Sequence, residues 1–414
     1  MLKIVYPICC GIDVHKSFVV ATIAATNRQN ITEYKTKRFS TFTRDLKALA
    51  QWLADHQCKD VCMESTGKYW IPVYNVLESS CRITLAHPKY VRAIPGKKTD
   101  KKDSRWIADL FKHDLVARSF IPEKQIRELR DILRYRFKLT NVGSSEKNRV
   151  QNSLTVSNIQ LASVVSDVFG KSAQAILSHL LEHPGDTGFD VLPLLHGSMR
   201  DKQELITQAI EGTISPVQVE KIQLCQQHMS ALGQLTDRIE QLAETLAKPY
   251  ASAVQIIESE PGVGHMSALI ILSEISADMS VFHSARHLCS WAGLAPRNDQ
   301  SAGKKKTTKI SRAGDYLKPV MVQCALAAIK QKDFPHYRQR YEALKHRRGH
   351  KKAIIAIARM MLSTIYTMLT NGELFNPQMY EASVKKPAYV LSPEQQLQVL
   401  AKRLGYSVAK VPDS

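Results

Sequence analysis

Two aspartates, Asp100 and Asp103, stand three residues apart in the run Lys97-Lys98-Thr99-Asp100-Lys101-Lys102-Asp103-Ser104-Arg105. On a helix that spacing puts both carboxylates on one face, about a turn apart. Two acids so close repel each other unless something positive stands between them, and hard Mg²⁺ prefers carboxylate oxygen. The flanking lysines and arginine suit a polyanionic substrate approaching that metal. The same run also reads as a charge-mixed helix face turned to solvent, so the rest of the chain must decide. Two more acids are placed to join. Asp13 closes Gly11-Ile12-Asp13 and Glu64 closes Asp60-Val61-Cys62-Met63-Glu64. Taken singly, Asp13 also reads as a turn residue and Glu64 as a helix-capping acid. A different reactive group is Ser301, flanked by small Ala302 and Gly303 and followed by Lys304, Lys305 and Lys306. A serine on a flexible, cation-rich loop can attack a phosphodiester while lysine or arginine neutralises the developing charge. Taken alone it is an ordinary loop serine.

Positioning these groups falls to the elements around them. Tyr6 to Asp13 is mostly apolar, Ser17 to Ala25 is rich in Val, Ala and Ile, and Ile31 to Phe39 alternates as an edge strand does. Short polar links join the three into a meander. Thr43 or a neighbour caps a helix whose apolar side holds Leu46, Leu49, Ala50 and Leu53. Asp60 to Glu64 reads as a short buried strand, Tyr69 to Leu77 as a helix, and Arg82 to Ala86 as a strand stopped by His87-Pro88. Ser104 to Phe111 continues the aspartate run as a helix. The order βββ-α-β-α-β-α forms a mixed sheet with helices on its faces. It is the order of ribonuclease-H-like nuclease and integrase domains. There Asp13 ends the central first strand, Glu64 ends the fourth, and Asp100 and Asp103 lie on or just before the last helix. Chemistry gathers at strand ends in open α/β sheets. Four acids from three elements can then converge on two Mg²⁺ ions about 4 Å apart, which clamp the attacking and leaving oxygens of phosphoryl transfer. Two neighbours are set aside. Ser65-Thr66-Gly67-Lys68 lacks the first glycine and the closing Ser/Thr of a phosphate loop, and His15 reads as a turn residue rather than a ligand.

The chain has 414 residues, enough for two or three domains. Hydrophobic content of 44% and charged content of 23% are ordinary, but a net charge of +19 is not. Such an excess favours a polyanion as partner, nucleic acid first and an acidic membrane surface second. No run of about eighteen uninterrupted apolar residues exists, so no membrane-spanning helix is expected. The start, Met1 to Pro7, lacks a signal-peptide layout. The eight cysteines are scattered without zinc-site spacing, as buried free thiols in a reducing cytoplasm would be.

From about Pro122 to Tyr250 strand signals vanish. Arg127, Arg130, Arg134, Arg136 and Lys138 make a basic helix whose charge matches the global excess, and Lys147 and Arg149 follow. Ser215-Pro216-Val217-Gln218 starts a helix, with an N-cap serine and proline at the first helical position. Leu232, Leu235, Ile239, Leu242 and Leu246 repeat at three-four spacing, either as a coiled coil between protomers or as a core helix. Glu260-Pro261-Gly262-Val263-Gly264 leads into an apolar helix from Met266 to Ile275. That is the layout of a helix-hairpin-helix, in which Gly262 and Gly264 let backbone N–H groups approach a phosphate. A tight turn in a helical domain fits the same residues. Tyr316 to Lys330 and Lys352 to Leu369 read as apolar helices. Between them, Lys345-His346-Arg347-Arg348-Gly349-His350-Lys351-Lys352 is a backbone contact to DNA or RNA. The tail from Pro377 carries one weak helix, Pro393 to Leu404.

Gly11-Ile12-Asp13-Val14-His15-Lys16, Met63-Glu64-Ser65-Thr66-Gly67, Lys98-Thr99-Asp100 with Asp103, Pro261-Gly262-Val263-Gly264, and Gly293-Leu294-Ala295-Pro296 leading to Ser301 and Ile310-Ser311-Arg312-Ala313-Gly314-Asp315 occur in one order. Together they resemble the DEDD-type transposases of bacterial insertion sequences, the family that includes pilin-gene invertases. The resemblance covers about Gly11 to Met368. It implies a RuvC-like catalytic domain over 1–121, a helical or coiled-coil region over 122–250, a transposase domain with the hairpin motif and serine loop over 251–370, and a tail over 371–414. It implies that Asp13, Glu64, Asp100 and Asp103 bind Mg²⁺ and that Ser301 forms a covalent phosphoserine with DNA. Lys304, Lys305, Lys306, Arg312, Arg347 and Arg348 are the cations expected to meet nucleic acid. It implies donor and target DNA, a bridge RNA, and a homo-oligomer with a composite site between protomers, without a membrane and in the bacterial cytoplasm. Many relatives have two serines before the glycine, where this chain has Ser301-Ala302-Gly303, and Ser311 is the fallback. The rivals are an endonuclease that hydrolyses DNA junctions with the acids alone and a non-enzymatic nucleic-acid-binding protein.

Overall fold

The computed structural model describes residues 2–64, 67–86, 100–186, 188–296, 299–301, 304–307, 309–378 and 393–407. Ser65, Thr66, Lys97 to Thr99, Ala302 and Gly303 lie outside them. Of Ser301 and Lys304 to Lys306 only the backbone is described. The chain divides into two units, Met1–Pro122 and Glu123–Ser414.

The first unit is built on a five-stranded sheet of order β3-β2-β1-β4-β5. Strands β1 (Ile8–Val14), β2 (Phe18–Thr26) and β3 (Thr32–Ser40) form the antiparallel meander, and β4 (Asp60–Glu64) and β5 (Arg82–Ala86) add in parallel. Alternation along the strands sorts side chains to two faces. Ile12, Val14, Ala21, Ile23 and Met63 pack with Leu46, Leu49 and Leu53 of α1 (Thr43–Asp55) and Val73 and Leu77 of α2 (Trp70–Leu77). Cys9, Ala24, Cys62 and Ala86 pack with Ile107, Ala108 and Phe111 of α3 (Asp100–Lys112). Strand β3 exposes Glu33, Lys35 and Lys37, a charged edge that discourages pairing with another strand. Of the expected cap, Thr43 or a neighbour, it is the neighbour Phe42 that holds the cap position of α1, without a side-chain bond, and Thr43 is already helical.

Among the described residues the second unit is helical apart from one hairpin. Its long helices α4 (Lys124–Val156) and α7 (Pro216–Ala247) run antiparallel, as the Arg136–Glu240 and Glu146–His228 pairs require. Ser215 caps α7 by accepting from the Gln218 N–H, with Pro216 in the first turn. Helices α5 (Lys171–Glu182) and α6 (Gln203–Ala209) enclose a core at one end of the pair. Leu232 and Ile239 pack on Leu139 of the same chain, whereas Leu235 and Leu242 remain 42% and 46% exposed. The rest comprises α8 (Ala251–Glu258), α9 (His265–Ile275), α10 (Ala285–Trp291), β6 (Asp299–Ser301), β7 (Lys304–Thr307), α11 (Leu317–Ala328), α12 (His336–Arg348), α13 (His350–Asn371) and α14 (Pro393–Arg403). Helix α13 is long and apolar enough to cross a membrane by composition, but it is the core helix here. Ile354, Ile357, Met361, Leu362 and Ile365 are buried, and α8, α10, α11 and α12 pack around it.

A candidate metal centre at the end of the first strand

Gly11 sets the site. On β1 it shares the α3 face with Cys9 and Asp13, because alternate residues point the same way. A Cβ on Gly11 would stand 2.3 Å from both the Ala108 N and the Ser104 O, so the missing side chain lets α3 lie directly on β1. Thr22, paired with Gly11 across the strands, fixes the first turn of α3: its hydroxyl meets the buried Ser104 hydroxyl at 2.7 Å. That contact places Asp100 and Asp103, both in the first turn of α3, near the end of β1. Acids there also suit the positive end of the helix dipole.

Three ligand-type atoms converge at this point. His15 Nε2 lies 3.1 Å from Asp13 Oδ2 and 3.4 Å from Asp100 Oδ1, and one such atom from each residue falls within 4.8 Å of the others. Asp13 is the most sheltered, with 13% of its side chain exposed against 39% for His15 and 49% for Asp100. Burial is the main force raising the Asp13 pKa above the usual carboxylate value. The His15 ring opposes the rise, while Asp103, Asp100 and Glu64 add to it by repulsion. Asp13 therefore senses the other three predicted acids at one end of the sheet. Glu64 is there because it follows Met63, which pairs with Ile12, and so falls on the α3 face.

His15 departs from its reading as a turn residue alone. It does sit at the β1–β2 turn, donating its N–H to the Phe18 O at 2.9 Å. Its ring also packs on Phe18 at 4.5 Å, and the Arg38 guanidinium covers that phenyl ring at 3.7 Å. The imidazole edge is thereby directed at the two aspartates. The signal in the sequence was the spacing: two residues after Asp13, on the same side of the strand's continuation.

Ser301 belongs to the second unit, and the acid cluster is assembled within the first. The stretch around Ser301, expected to be a loop, is a two-stranded hairpin in which Ser301 pairs with Lys304 and Asp299 with Thr307. Its lysines carry no apolar alternation, so strand pairing there left no mark in composition. The hairpin's base is closed by a bridge between Pro296 and Ile310 and by two glycines in left-handed conformation. A Cβ on Gly293 would strike the Ala313 O at 2.3 Å, and one on Gly314 the Ala292 O at 2.1 Å. Ser311 is tied into this base: its hydroxyl accepts from the Ala313 N–H at 3.2 Å, and its carbonyl accepts from Lys318 Nζ at 2.8 Å.

The turn between α8 and α9 has a packing reason of its own. Gly262 has φ +87°, and a Cβ there would lie 2.5 Å from the Ala328 N of α11. Gly264, by contrast, faces open space at the start of α9. The next residue, His265, is held by Glu258 at 3.0 Å and Glu244 at 2.8 Å, which raise its pKa. Beneath the turn, buried Glu260 accepts from the Tyr337 hydroxyl, and its Oε2 has no partner among the described residues. Burial pushes the Glu260 carboxyl up to about 8. No sequence pattern marks that residue. Arg312, Arg347 and Arg348 are exposed.

A family model described as a transposase matches residues 10–159, and one described as the transposase IS116/IS110/IS902 family matches residues 254–342. The two segments cover more than half of the chain. Among similar proteins, the transposase for insertion sequence element IS1111A of Coxiella burnetii is 31% identical over 129 residues, 29% of this chain and 34% of that protein. The putative transposase y4pF/y4sB of Sinorhizobium fredii is 27% identical over 36% of this chain and 40% of its own length. The pilin gene-inverting protein of Moraxella bovis is 26% identical over 30% of this chain and 39% of its own length. The chain thus spans about a third of the length of the curated relatives it matches.

Proposed function

Because the chain belongs to the IS116/IS110/IS902 family of transposases, we propose that it is an insertion-sequence recombinase that cuts and rejoins DNA. The observation that carries this reading is the gathering of Asp13 and Asp100 at the end of β1, with Asp103 and Glu64 within electrostatic reach. Four carboxylates, the deepest already destabilised by its neighbours, are a hard, oxygen-rich donor set that fits Mg²⁺. Asp13, Glu64, Asp100 and Asp103 would hold it. Bound there, the ion supplies charge to the phosphate oxygens during transfer.

The chain's own residues do the rest. Ser301 attacks the phosphodiester: a serine O–P bond forms as the strand's O–P bond breaks, leaving a 3′-hydroxyl. A 3′-hydroxyl from another strand then attacks the phosphoserine and restores the serine. Lys304, Lys305 and Lys306, next to Ser301 along the hairpin, neutralise charge on the phosphate. Arg312, Arg347, Arg348 and the Gly264 end of the helix-hairpin-helix-like turn hold the backbone. The acids form one domain, RuvC-like in strand order, and Ser301 another, so a homo-oligomer with a site composed from both completes the machine. A bridge RNA from the flanking DNA selects the two DNA partners. The protein works in the bacterial cytoplasm.

Trapping tests the roles. Asp13→Asn should stop strand exchange while leaving DNA binding nearly intact. Ser301→Ala should abolish any covalent protein–DNA adduct. An undiminished adduct rejects Ser301, and cleavage to hydrolysed ends by the Ser301→Ala protein supports the junction endonuclease instead.

A further inference from the structure

The acid cluster contains one nitrogen. His15 Nε2 is 3.1 Å from Asp13 Oδ2 and 3.4 Å from Asp100 Oδ1, and its ring is aimed by the hairpin and by the Phe18–Arg38 stack. Neighbouring ligands of an octahedral cation with bonds of about 2.1 Å stand about 3 Å apart. A ring that only filled a turn would need no such support. We propose that His15 Nε2 is itself a ligand of the divalent cation, and that this nitrogen makes the centre favour Mn²⁺ over Mg²⁺. The inference rests on the reading of the acids as a metal centre.

The preference follows from ligand chemistry. Mg²⁺ favours oxygen and near-ideal octahedral geometry, and gives up its waters reluctantly. Imidazole is a softer donor than carboxylate; Mn²⁺, the lowest of the first-row affinity series, shares the carboxylate preference of Mg²⁺ but accepts a nitrogen ligand more readily than Mg²⁺ does. Carboxylates accept either ion. Adding one imidazole therefore separates two cations that four carboxylates alone would hold similarly. Without an ion, the same ring bridges two like charges on different elements, β1 and α3, and holds the ligands close to their bound positions.

The full-length protein can be titrated with Mn²⁺ and Mg²⁺ by calorimetry, as wild type, His15→Ala and His15→Gln, with circular dichroism as the folding control. The wild type should bind Mn²⁺ more tightly than Mg²⁺. Both variants should lose that ratio by at least about 10-fold, the size of effect that changes behind a metal ligand already reach. Pulsed electron paramagnetic resonance of bound Mn²⁺ should show modulation from a directly coordinated nitrogen in the wild type and none in His15→Gln. Manganese bound without nitrogen modulation, or modulation that survives in His15→Gln, overturns the role of His15 and leaves the carboxylate centre standing. Equal weakening of both ions in the variants reduces His15 to a positioning hydrogen bond. No binding of either ion by the wild type removes the metal centre itself. The wild-type spectrum decides even where a variant fails to fold.

Discussion

Two basic stretches of the second unit look alike in sequence and behave in opposite ways. Along α4 the arginines are committed to the fold. Arg130 donates to the Ser273 and Glu274 carbonyls at 2.8 and 2.9 Å, and burial pulls its pKa down to about 10. Arg134 grips Glu274 with two bonds of 2.7 and 2.8 Å and stacks on Tyr316. Arg136 pairs with Glu240, and Arg149 with Glu146. Along α12 Arg338 and Arg340, and at its corner with α13 Arg347, Arg348, Lys351 and Lys352, are exposed, and among the described residues no carboxylate pairs with them. Lys345 reaches Glu342 only at 3.8 Å. The net charge of +19 therefore says how much cation the chain has, not where it is free. Arg130, Arg134, Arg136 and Arg149 of α4 are already held by groups of the fold, whereas the corner presents charge that an outside polyanion can meet.

The largest effect should come from breaking an internal pair. Arg134→Ala leaves Glu274, 4% exposed, as a buried charge without its bidentate partner. Breaking such pairs costs about 3–5 kcal/mol, so urea unfolding should shift by about 4 kcal/mol with an unchanged slope. The affinity of the folded protein for DNA should stay within about twofold, since no phosphate contact is lost. A small stability change with weakened, less salt-dependent binding would reverse the assignment of α4.

Glu260 sharpens the contrast, because it is the buried acid that no arginine reaches. Among the described residues only the Tyr337 hydroxyl meets it, and burial lifts the carboxyl from 4.5 to about 8. Between those values the folded chain keeps a proton that the unfolded chain has released. Stability therefore falls as pH rises through that window and levels off above about 8. The loss should be about 4 kcal/mol between pH 5 and pH 9. Glu260→Gln keeps the shape without the charge, and should flatten the profile and be the more stable protein at pH 9. A wild-type profile as flat as the variant's would mean that a cation or water reaches Glu260.

Much of the first unit is legible in the sequence, and the reasons are local. Apolar runs, one alternating edge strand and short polar links locate all five strands, and the aspartate run falls where α3 begins. The geometry that makes these residues a site is not local. Gly11 matters because the α3 backbone lies on it, and α3 arrives from about ninety residues away. His15 reads as a turn until Asp100 is brought to it. The same holds for α7: its apolar repeat is plain, but its partner is α4 of the same chain, which takes Leu232 and Ile239 and leaves Leu235 and Leu242 outside. At Ser301 the pairing is between strands of three and four residues, too short and too polar to show periodicity.

The exposed corner gives the smallest change in folding and the clearest one in binding. Arg347 and Arg348 end α12, where exposed cations suit the helix dipole only weakly, so removing both should lower stability by no more than about 1 kcal/mol. Each arginine that meets a duplex phosphate contributes about 0.9 to the slope of log affinity against log salt. The double variant Arg347→Ala, Arg348→Ala should therefore lower that slope by about 1.8 on duplex DNA, or about 1.4 if the occupant is single-stranded. Sequence preference should not change, because backbone contacts position a nucleic acid without reading it. An unchanged slope would mean that the corner stays solvated in the complex and that the chain's cationic excess meets nucleic acid elsewhere. A slope that falls on RNA but not on DNA would assign the corner to the guide rather than to the strands being exchanged.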